Sequence, residues 1–313
     1  MIAWSVHHGD CRDVLQALPD ACVDAVVTDP PYGLGADADI HKVLADWLAG
    51  RPHCPAGGGY QGRKWDAFVP GPEVWREVLR VLVPGGHILA SSSTRTSDLL
   101  GLALRLAGAQ IRDTLTWCYG TGTVVSMGLP DGGGTGLKRS QEPWLLARKP
   151  PDTAPGPGLR VYNGESSPVG TAFHPANFLT DGSALEGQPK RPVGVFYQAK
   201  AASAEADFGL EHWPWITSFT GRKEGSAGVI SPRAGTGRLR KRKNPHATVK
   251  PLALLEHFVG LLTLRGTLVL DPFCGSGTTG IVCVGTGRHF IGCDIDETSV
   301  RAARDRITAA EAL

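Results

Sequence analysis

The apolar positions of residues 2–6 alternate enough to predict a strand, which runs into Gly9-Asp10-Cys11 and then a helical stretch marked by Val14, Leu15 and Leu18. Val26 and Val27 predict a short buried strand that stops at Asp29-Pro30-Pro31-Tyr32, because proline fixes φ and has no N–H to give a ladder. Beyond Gly33-Leu34-Gly35 a helix is expected near residues 39–48. A soft segment over residues 57–66 follows, where glycines surround Tyr60, Arg63, Lys64 and Trp65; it reads equally as a mobile flap and as plain surface loop. Val74, Val78 and Val81 stand at helical spacing ahead of Pro84-Gly85-Gly86, and residues 87–90 read as the next strand. Leu99, Leu102, Leu106 and Ala107 mark another helix. Residues 112–119 and 144–147 mark two more strands, with Gly132-Gly133-Gly134 between them. Strands alternating with helices point to a parallel α/β sheet covered on both faces.

The pattern breaks at Lys149-Pro150-Pro151. From there to about Pro245 periodicity is weak and proline, glycine and aromatics are frequent, among them Phe173, Phe178, Phe196, Tyr197, Phe208, Trp213, Trp215 and Phe219. Regular structure returns after Thr248-Val249-Lys250-Pro251. Leu252, Leu255, Val259 and Leu262 make a helix, and Leu268-Val269-Leu270 a buried strand ending in Asp271-Pro272-Phe273-Cys274-Gly275-Ser276-Gly277-Thr278-Thr279-Gly280. A helix, the strand Phe290-Ile291-Gly292-Cys293-Asp294 and an amphipathic helix through Val300, Ala303, Ile307 and Ala310 complete the chain.

With 313 residues, 42% of them apolar, the chain can bury one large core or two modest ones. No apolar run approaches the roughly 18 to 20 residues of a membrane span. The opening Met1-Ile2-Ala3-Trp4 has no signal-peptide pattern, so a cytoplasmic location without a membrane partner is expected. The seven cysteines are scattered and form no Cys-x-x-Cys pair, which argues against a disulfide framework and a zinc cage. His7, His8, His246 and His257 show no ligand spacing either, and no metal is expected. The net charge of +2 names no partner, but its distribution does. Arg222, Lys223, Arg233, Arg238, Arg240, Lys241, Arg242 and Lys243 crowd a segment whose only acid is Glu224. Such a patch is the electrostatic footprint of a polyanion, and interleaved aromatics suit the stacking of exposed bases. The plain alternative is a solvated basic loop.

Two stretches carry candidate chemistry. At Asp29-Pro30, a carboxylate stands beside a backbone carbonyl in a turn poor in N–H groups, an acceptor pair suited to a planar amine, and Tyr32 offers a face for a flat ring. An ordinary Asp-Pro turn is the bland reading. At the other end, Gly275-x-Gly277-x-x-Gly280 lies between a strand and a helix, with Asp294 about twenty residues later at the next strand's end. That arrangement fits a nucleoside-binding α/β unit and, read naively, a nicotinamide dinucleotide site. Residues 295–313 leave no room for the remaining strands, which must therefore lie earlier in the chain. Joined to the N-terminal strands, the C-terminal pair completes one open sheet whose first half comes last. Its crevice would gather Asp10, Asp29, Phe273, Gly275 and Asp294. A P-loop is excluded, since no Lys-Ser or Lys-Thr pair follows the glycines.

These two motifs, in this order around a basic middle region, resemble the β class of amino DNA methyltransferases. The resemblance rests also on Gly9-Asp10-Cys11, Leu79-Arg80-Val81-Leu82-Val83-Pro84-Gly85-Gly86, Ser140-Gln141-Glu142-Pro143 and Thr248-Val249-Lys250-Pro251. It spans most of residues 5–150 and 244–308; between them only Phe196-Tyr197-x-x-Lys200-Ala201 is familiar. It implies an α/β fold: a doubly wound, mostly parallel Rossmann-like methyltransferase sheet in circularly permuted order. Residues 1–150 and 245–313 would form the S-adenosyl-L-methionine-dependent catalytic domain, and 151–244 an inserted, irregular target recognition region.

The resemblance implies that Asp29, Pro30, Pro31 and Tyr32 are catalytic. Asp29 and the Pro30 carbonyl would accept both hydrogens of an amine on a base flipped out of double-stranded DNA, with Tyr32 stacked on the base. It assigns Asp294 to the cofactor's ribose hydroxyls and Asp10 with Cys11 to its adenine edge. The stretch Asp271, Phe273, Cys274, Gly275, Ser276, Gly277 and Thr278, with Thr248 and Lys250, would surround its methionine end, bordered by Asp29. Lys250 reads equally as a surface lysine. The eight bases of residues 222–243 would contact DNA. A carbon-5 cytosine enzyme would need a Pro-Cys pair, which the chain lacks. An aspartate at the head of the motif leans to adenine N6. The alternatives are cytosine N4, an RNA-directed relative, a non-enzymatic nucleic-acid binder and the dinucleotide oxidoreductase. The class admits a homodimer and a cognate restriction enzyme as partners; the sequence speaks to neither.

Overall fold

Apolar runs separated by helix-spaced stripes are buried together when strands lie edge to edge and helices cover both faces. The computed structural model describes residues 3–35, 38–55, 64–120, 140–151, 195–218, 240–246 and 248–313. Its strands are β1 (Trp4–His8), β2 (Val23–Thr28), β3 (Leu82–Ser91), β4 (Gln110–Cys118), β5 (Gln141–Arg148), β6 (Val195–Tyr197), β7 (Ile216–Ser218), β8 (Arg240–Arg242), β9 (Leu268–Asp271) and β10 (His289–Asp294). Eight of them form one sheet in the order β1-β10-β9-β2-β3-β5-β4-β6, while β7 and β8 make a separate antiparallel pair.

The helices are α1 (Cys11–Gln16), α2 (Ile40–Leu48), α3 (Pro72–Val81), α4 (Ser97–Ala107), α5 (Ser203–Asp207), α6 (Leu252–Leu262), α7 (Thr278–Gly285) and α8 (Glu297–Glu311). Phe258 of α6, Ile281 of α7 and Ile307 of α8 pack with Ala25, Val27, Leu89 and Val269 on one face of the sheet. Leu15 of α1, Trp47 of α2, Trp75 of α3 and Leu104 of α4 pack with Val23, Val26, Ile88 and Leu270 on the other. The β2–β3 register slips between Val23 and Ala25, where β3 carries three extra residues around Pro84-Gly85-Gly86. At Gly280 an added Cβ would stand 2.4 Å from Ile307 Cδ1 and 2.7 Å from Phe290 Cε1. Only a residue without a side chain lets α7 approach β10 and α8 so closely.

The sheet is the doubly wound, mostly parallel, permuted one expected. From β9 the chain moves outward to β10, and from β2 it moves the other way to β3, so the winding reverses between β9 and β2. Such a reversal opens a crevice at the carboxyl ends of the two strands. β5 departs from the all-parallel pattern that the alternation suggests, running antiparallel to both β3 and β4. Adjacent antiparallel strands need no crossover helix between them. The first strand begins at Trp4 and extends to His8, later than residues 2–6. No described helix is long and apolar enough to cross a membrane. Residues 57–63, Gly132-Gly133-Gly134, Phe173, Phe178, Phe219, Arg222, Lys223, Arg233 and Arg238 lie outside the described residues.

Candidate active site

The buried end of β2, Val26-Val27-Thr28, carries Asp29 to the carboxyl edge of the sheet, where Pro30 ends the strand. The turn that follows is held from both sides. Asp66 Oδ1, on a side chain only 4% exposed, accepts from the N–H groups of Tyr32 at 2.8 Å and Gly33 at 3.1 Å. Thr96 Oγ1 donates to the Tyr32 carbonyl at 2.8 Å. The Pro30 carbonyl takes no hydrogen bond among the described residues and stays open as an acceptor.

Donors enclose Asp29. Ser91 Oγ donates to Oδ1 and Lys250 Nζ to Oδ2, each at 2.5 Å. Lys250 Nζ also lies 3.2 Å from the Tyr32 hydroxyl and 3.3 Å from Glu142 Oε2. The Tyr32 hydroxyl donates to Glu142 Oε2 at 2.9 Å and meets Ser91 Oγ. One cation thus serves two carboxylates. Burial would raise the Asp29 carboxyl, but the Lys250 charge and the hydrogen bonds from Lys250 and Ser91 outweigh it and hold the group below its ordinary range. Burial likewise disfavours charged Lys250, and the charges of Asp29 and Glu142 overcome it, raising the ammonium above its ordinary value. Burial, reinforced by the same two carboxylates, drives the Tyr32 phenol well above its usual range, so it stays protonated. Lys250 is therefore not a surface lysine; it is 7% exposed and belongs to this cluster.

Beside it, β9 ends in Asp271, 2% exposed, which accepts from Thr28 Oγ1 and Thr279 Oγ1 at 2.7 Å each and from the Phe273 N–H at 3.2 Å. This carboxyl ties the ends of β2 and β9 to the start of α7. Burial pushes it up to about 7 against those hydrogen bonds. Residues 274–277 form a tight turn closed by Gly277 N–H on the Cys274 carbonyl at 2.8 Å. Gly275 there has φ +51°, and a Cβ on it would stand 3.0 Å from the His246 ring. That ring stacks on Trp65, centroids 6.3 Å apart. Ser276 Oγ accepts from Asn244 Nδ2 at 3.0 Å and Arg306 Nη1 at 3.2 Å.

A cleft of about 370 Å³ opens between these strand ends, lined on one side by Thr28, Asp29, Thr248 and Lys250 and on the other by Asp271, Phe273, Cys274, Gly275, Ser276 and Thr278. Asp294, Asp10 and Cys11 stand beyond its wall. Asp294 Oδ2 accepts from the Gly275 N–H at 2.9 Å and Oδ1 from Asp296 N–H at 2.8 Å, and burial raises this carboxyl too. Asp10 caps α1 and engages Arg12 through Nε at 3.0 Å and Nη2 at 2.6 Å; these hydrogen bonds from Arg12 lower it. Burial pushes the neighbouring Cys11 thiol up to about 12. Of the basic segment, Lys241 is exposed, Arg242 donates to the His246 carbonyl at 3.0 Å, and Lys243 lies 5.2 Å from the ring of Trp215, itself 62% exposed. Arg240 is described in its backbone alone.

Ser91 and Asn244 belong to no motif readable in the sequence, and Glu142 appears there only inside Ser140-Gln141-Glu142-Pro143. Arg306 does leave a signal: it is a charge set inside the apolar stripe of Ala303, Ile307 and Ala310.

A doubly wound sheet whose switch-point crevice holds an acceptor turn opposite a glycine loop has the architecture of an enzyme acting with a nucleoside ligand. The model of the N6/N4 family described as DNA methylase matches residues 23–305, and the chain belongs to that family. It is 25% identical to the DNA adenine methyltransferase YhdJ of Escherichia coli K12 over 313 residues, 98% of this chain and 84% of the relative. Among solved structures, one described as a DNA modification methylase from Thermus thermophilus, complexed with S-adenosyl-L-methionine, shares the fold with a TM-score of 0.53 and 21% identity, covering 99% of this chain and 96% of that one. The cytosine-N4-specific PvuII DNA methyltransferase does so with a TM-score of 0.56 and 16% identity, over 97% and 86% of the two chains.

Proposed function

We propose that this DNA methylase transfers a methyl group from S-adenosyl-L-methionine to N6 of an adenine flipped out of double-stranded DNA. The observation that carries the reading is the pairing of an ionised Asp29 with an open Pro30 carbonyl at the mouth of the glycine-lined cleft. The cleft's lining suits the cofactor: the hydroxyls of Thr248, Ser276 and Thr278 and the ammonium of Lys250 border it beside the Gly275 turn. The residues that would hold it are Phe273 to Ser276, Thr278 and Thr248 from the cleft wall, with Asp294, Asp10 and Cys11 from outside that lining. When bound, the cofactor supplies an electrophilic methyl group on a sulfonium.

The protein's own part is alignment. Asp29 and the Pro30 carbonyl accept the two amine hydrogens, which draws the nitrogen lone pair out of conjugation with the ring and aims it into the cleft. Lys250 and Ser91 fix the plane of the Asp29 carboxylate and keep it ionised. Tyr32, its hydroxyl pinned by Glu142, presents its ring to the base. Flipping costs a few kcal/mol, which contacts from the 57–66 segment and the basic residues of the 151–244 recognition region offset. The aspartate that heads the motif and the similarity to a DNA adenine methyltransferase support adenine as the base.

The test is to incubate the protein with unmethylated DNA and S-adenosyl-L-methionine, digest to nucleosides and identify the products by mass spectrometry. N6-methyladenine is the expected product. N4-methylcytosine alone would keep the reaction and overturn the base; no methylated nucleoside would overturn the proposal.

A further inference from the structure

Arg306 sits on α8 with its side chain wholly enclosed, 0% exposed. Its guanidinium donates to the Ser276 carbonyl at 2.7 Å, to Ser276 Oγ and Thr278 Oγ1 at 3.2 Å each, and to the carbonyls of Glu205 at 3.2 Å and Phe208 at 3.3 Å. All of these acceptors are neutral. Among the described residues no carboxylate reaches ion-pair distance of it; Glu205 and Asp207 act only through longer-range charge, and burial draws the guanidinium down to about 10. A cation taken out of water without a paired anion is strongly disfavoured. Among the described residues no anion stands beside it to balance it.

The two hydroxyls above the guanidinium point to where that anion belongs. Ser276 Oγ already accepts from Asn244 and Arg306, and Thr278 Oγ1 accepts from Arg306. Each therefore has its O–H left to give, and among the described residues neither finds an acceptor. Both residues line the cleft, with Ser276 3% and Thr278 7% exposed. A hydroxyl whose oxygen receives from a cation becomes a stronger donor, because linked hydrogen bonds polarise one another. The helix they open has Gly277 as its first cap and no side-chain acceptor for its leading N–H groups.

We infer that Arg306 is a positioning residue for the carboxylate of the bound cofactor, acting through the hydroxyls of Ser276 and Thr278, which relay its charge to the cleft wall. The inference rests on the S-adenosyl-L-methionine reading above and adds to it a residue on a different helix from the glycine turn. It also ties the cofactor wall to α5, since the same guanidinium holds the Glu205 and Phe208 carbonyls.

The test is calorimetric titration of the full chain with S-adenosylhomocysteine and with 5′-methylthioadenosine, which keeps the nucleoside and lacks the amino-acid end. Arg306→Met is expected to weaken S-adenosylhomocysteine at least tenfold and leave 5′-methylthioadenosine within twofold. Equal weakening of both ligands would mean a merely structural arginine and overturn the inference, as would unchanged binding of both. Should Arg306→Met fail to fold by circular dichroism, the double variant Ser276→Ala, Thr278→Val decides. It keeps the arginine and removes the relay, so loss of the preference for S-adenosylhomocysteine supports the inference and retention overturns it. A wild-type chain that binds both ligands equally overturns the inference alone. One that binds neither overturns the cofactor reading as well.

Discussion

Lys250 stands between two carboxylates, and replacing the second of them isolates what the arrangement does for the first. In Glu142→Gln the ammonium loses one of its two anionic partners and leans wholly on Asp29, competing with the incoming amine for Oδ2. Turnover is expected to fall about tenfold to a hundredfold, in line with the roughly 1.5–3 kcal/mol of a hydrogen bond to a charged group, while cofactor affinity holds. Steady-state kinetics beside calorimetry checks this; a matching loss of cofactor affinity would contradict it. Asp29 and Tyr32 were legible in the sequence because prolines between a short apolar run and an aromatic make a conspicuous local pattern. Ser91 and Glu142 were not, because each reaches the cluster from a different strand, Ser91 lying 62 positions from Asp29 and Glu142 110 positions from Tyr32. Only the strand order brings them together.

The turn that presents Asp29 is an element whose shape depends on a remote carboxylate. Both the Tyr32 and Gly33 N–H groups go to the same oxygen of Asp66. Asp66→Ala leaves two donors unpaired and is expected to cost about 1–3 kcal/mol of stability and to lower turnover. Asp66→Asn retains one carbonyl oxygen in that place and should restore most of both. Thermal melts with kinetics read the pair, and an asparagine variant no better than alanine would refute the geometry. Most elements were legible from periodicity: α3, α4, α6 and α8 show their apolar stripes openly, and β2 and β9 their short buried runs. The antiparallel course of β5 was not, since an apolar strand carries no mark of its direction; partners alone decide that. Arg306 shows the reverse case, a charge that breaks a stripe and proves to be buried.

At the scale of the molecule, the two halves of the permuted sheet are stitched at Asp271, whose hydrogen bonds span β2, β9 and α7. Its folded value of about 7 lies above the ordinary 3.8, so the native state binds the proton more tightly than the unfolded chain. The stability this contributes is full below about pH 4 and is lost as pH rises through 7. Asp271→Asn mimics the protonated acid at every pH, its amide donating to Thr279. The variant's melting temperature is therefore expected to gain on the wild type as pH is raised from about 5 to about 8. A difference that stays constant with pH would refute the assignment. The permuted order itself was legible, because Asp29 precedes the glycine loop along the chain and both border one cleft. What the sequence could not display is which buried groups share a proton or a charge across the seam.

The central claim is that Asp29 acts on the amine and not on the cofactor. It is tested most directly by measuring, for Asp29→Ala, methyl transfer from labelled S-adenosyl-L-methionine to DNA together with calorimetric affinity for S-adenosylhomocysteine. Transfer is expected to disappear while the affinity stays within a few-fold of the wild type. Loss of both to the same degree, or transfer that persists, would contradict it.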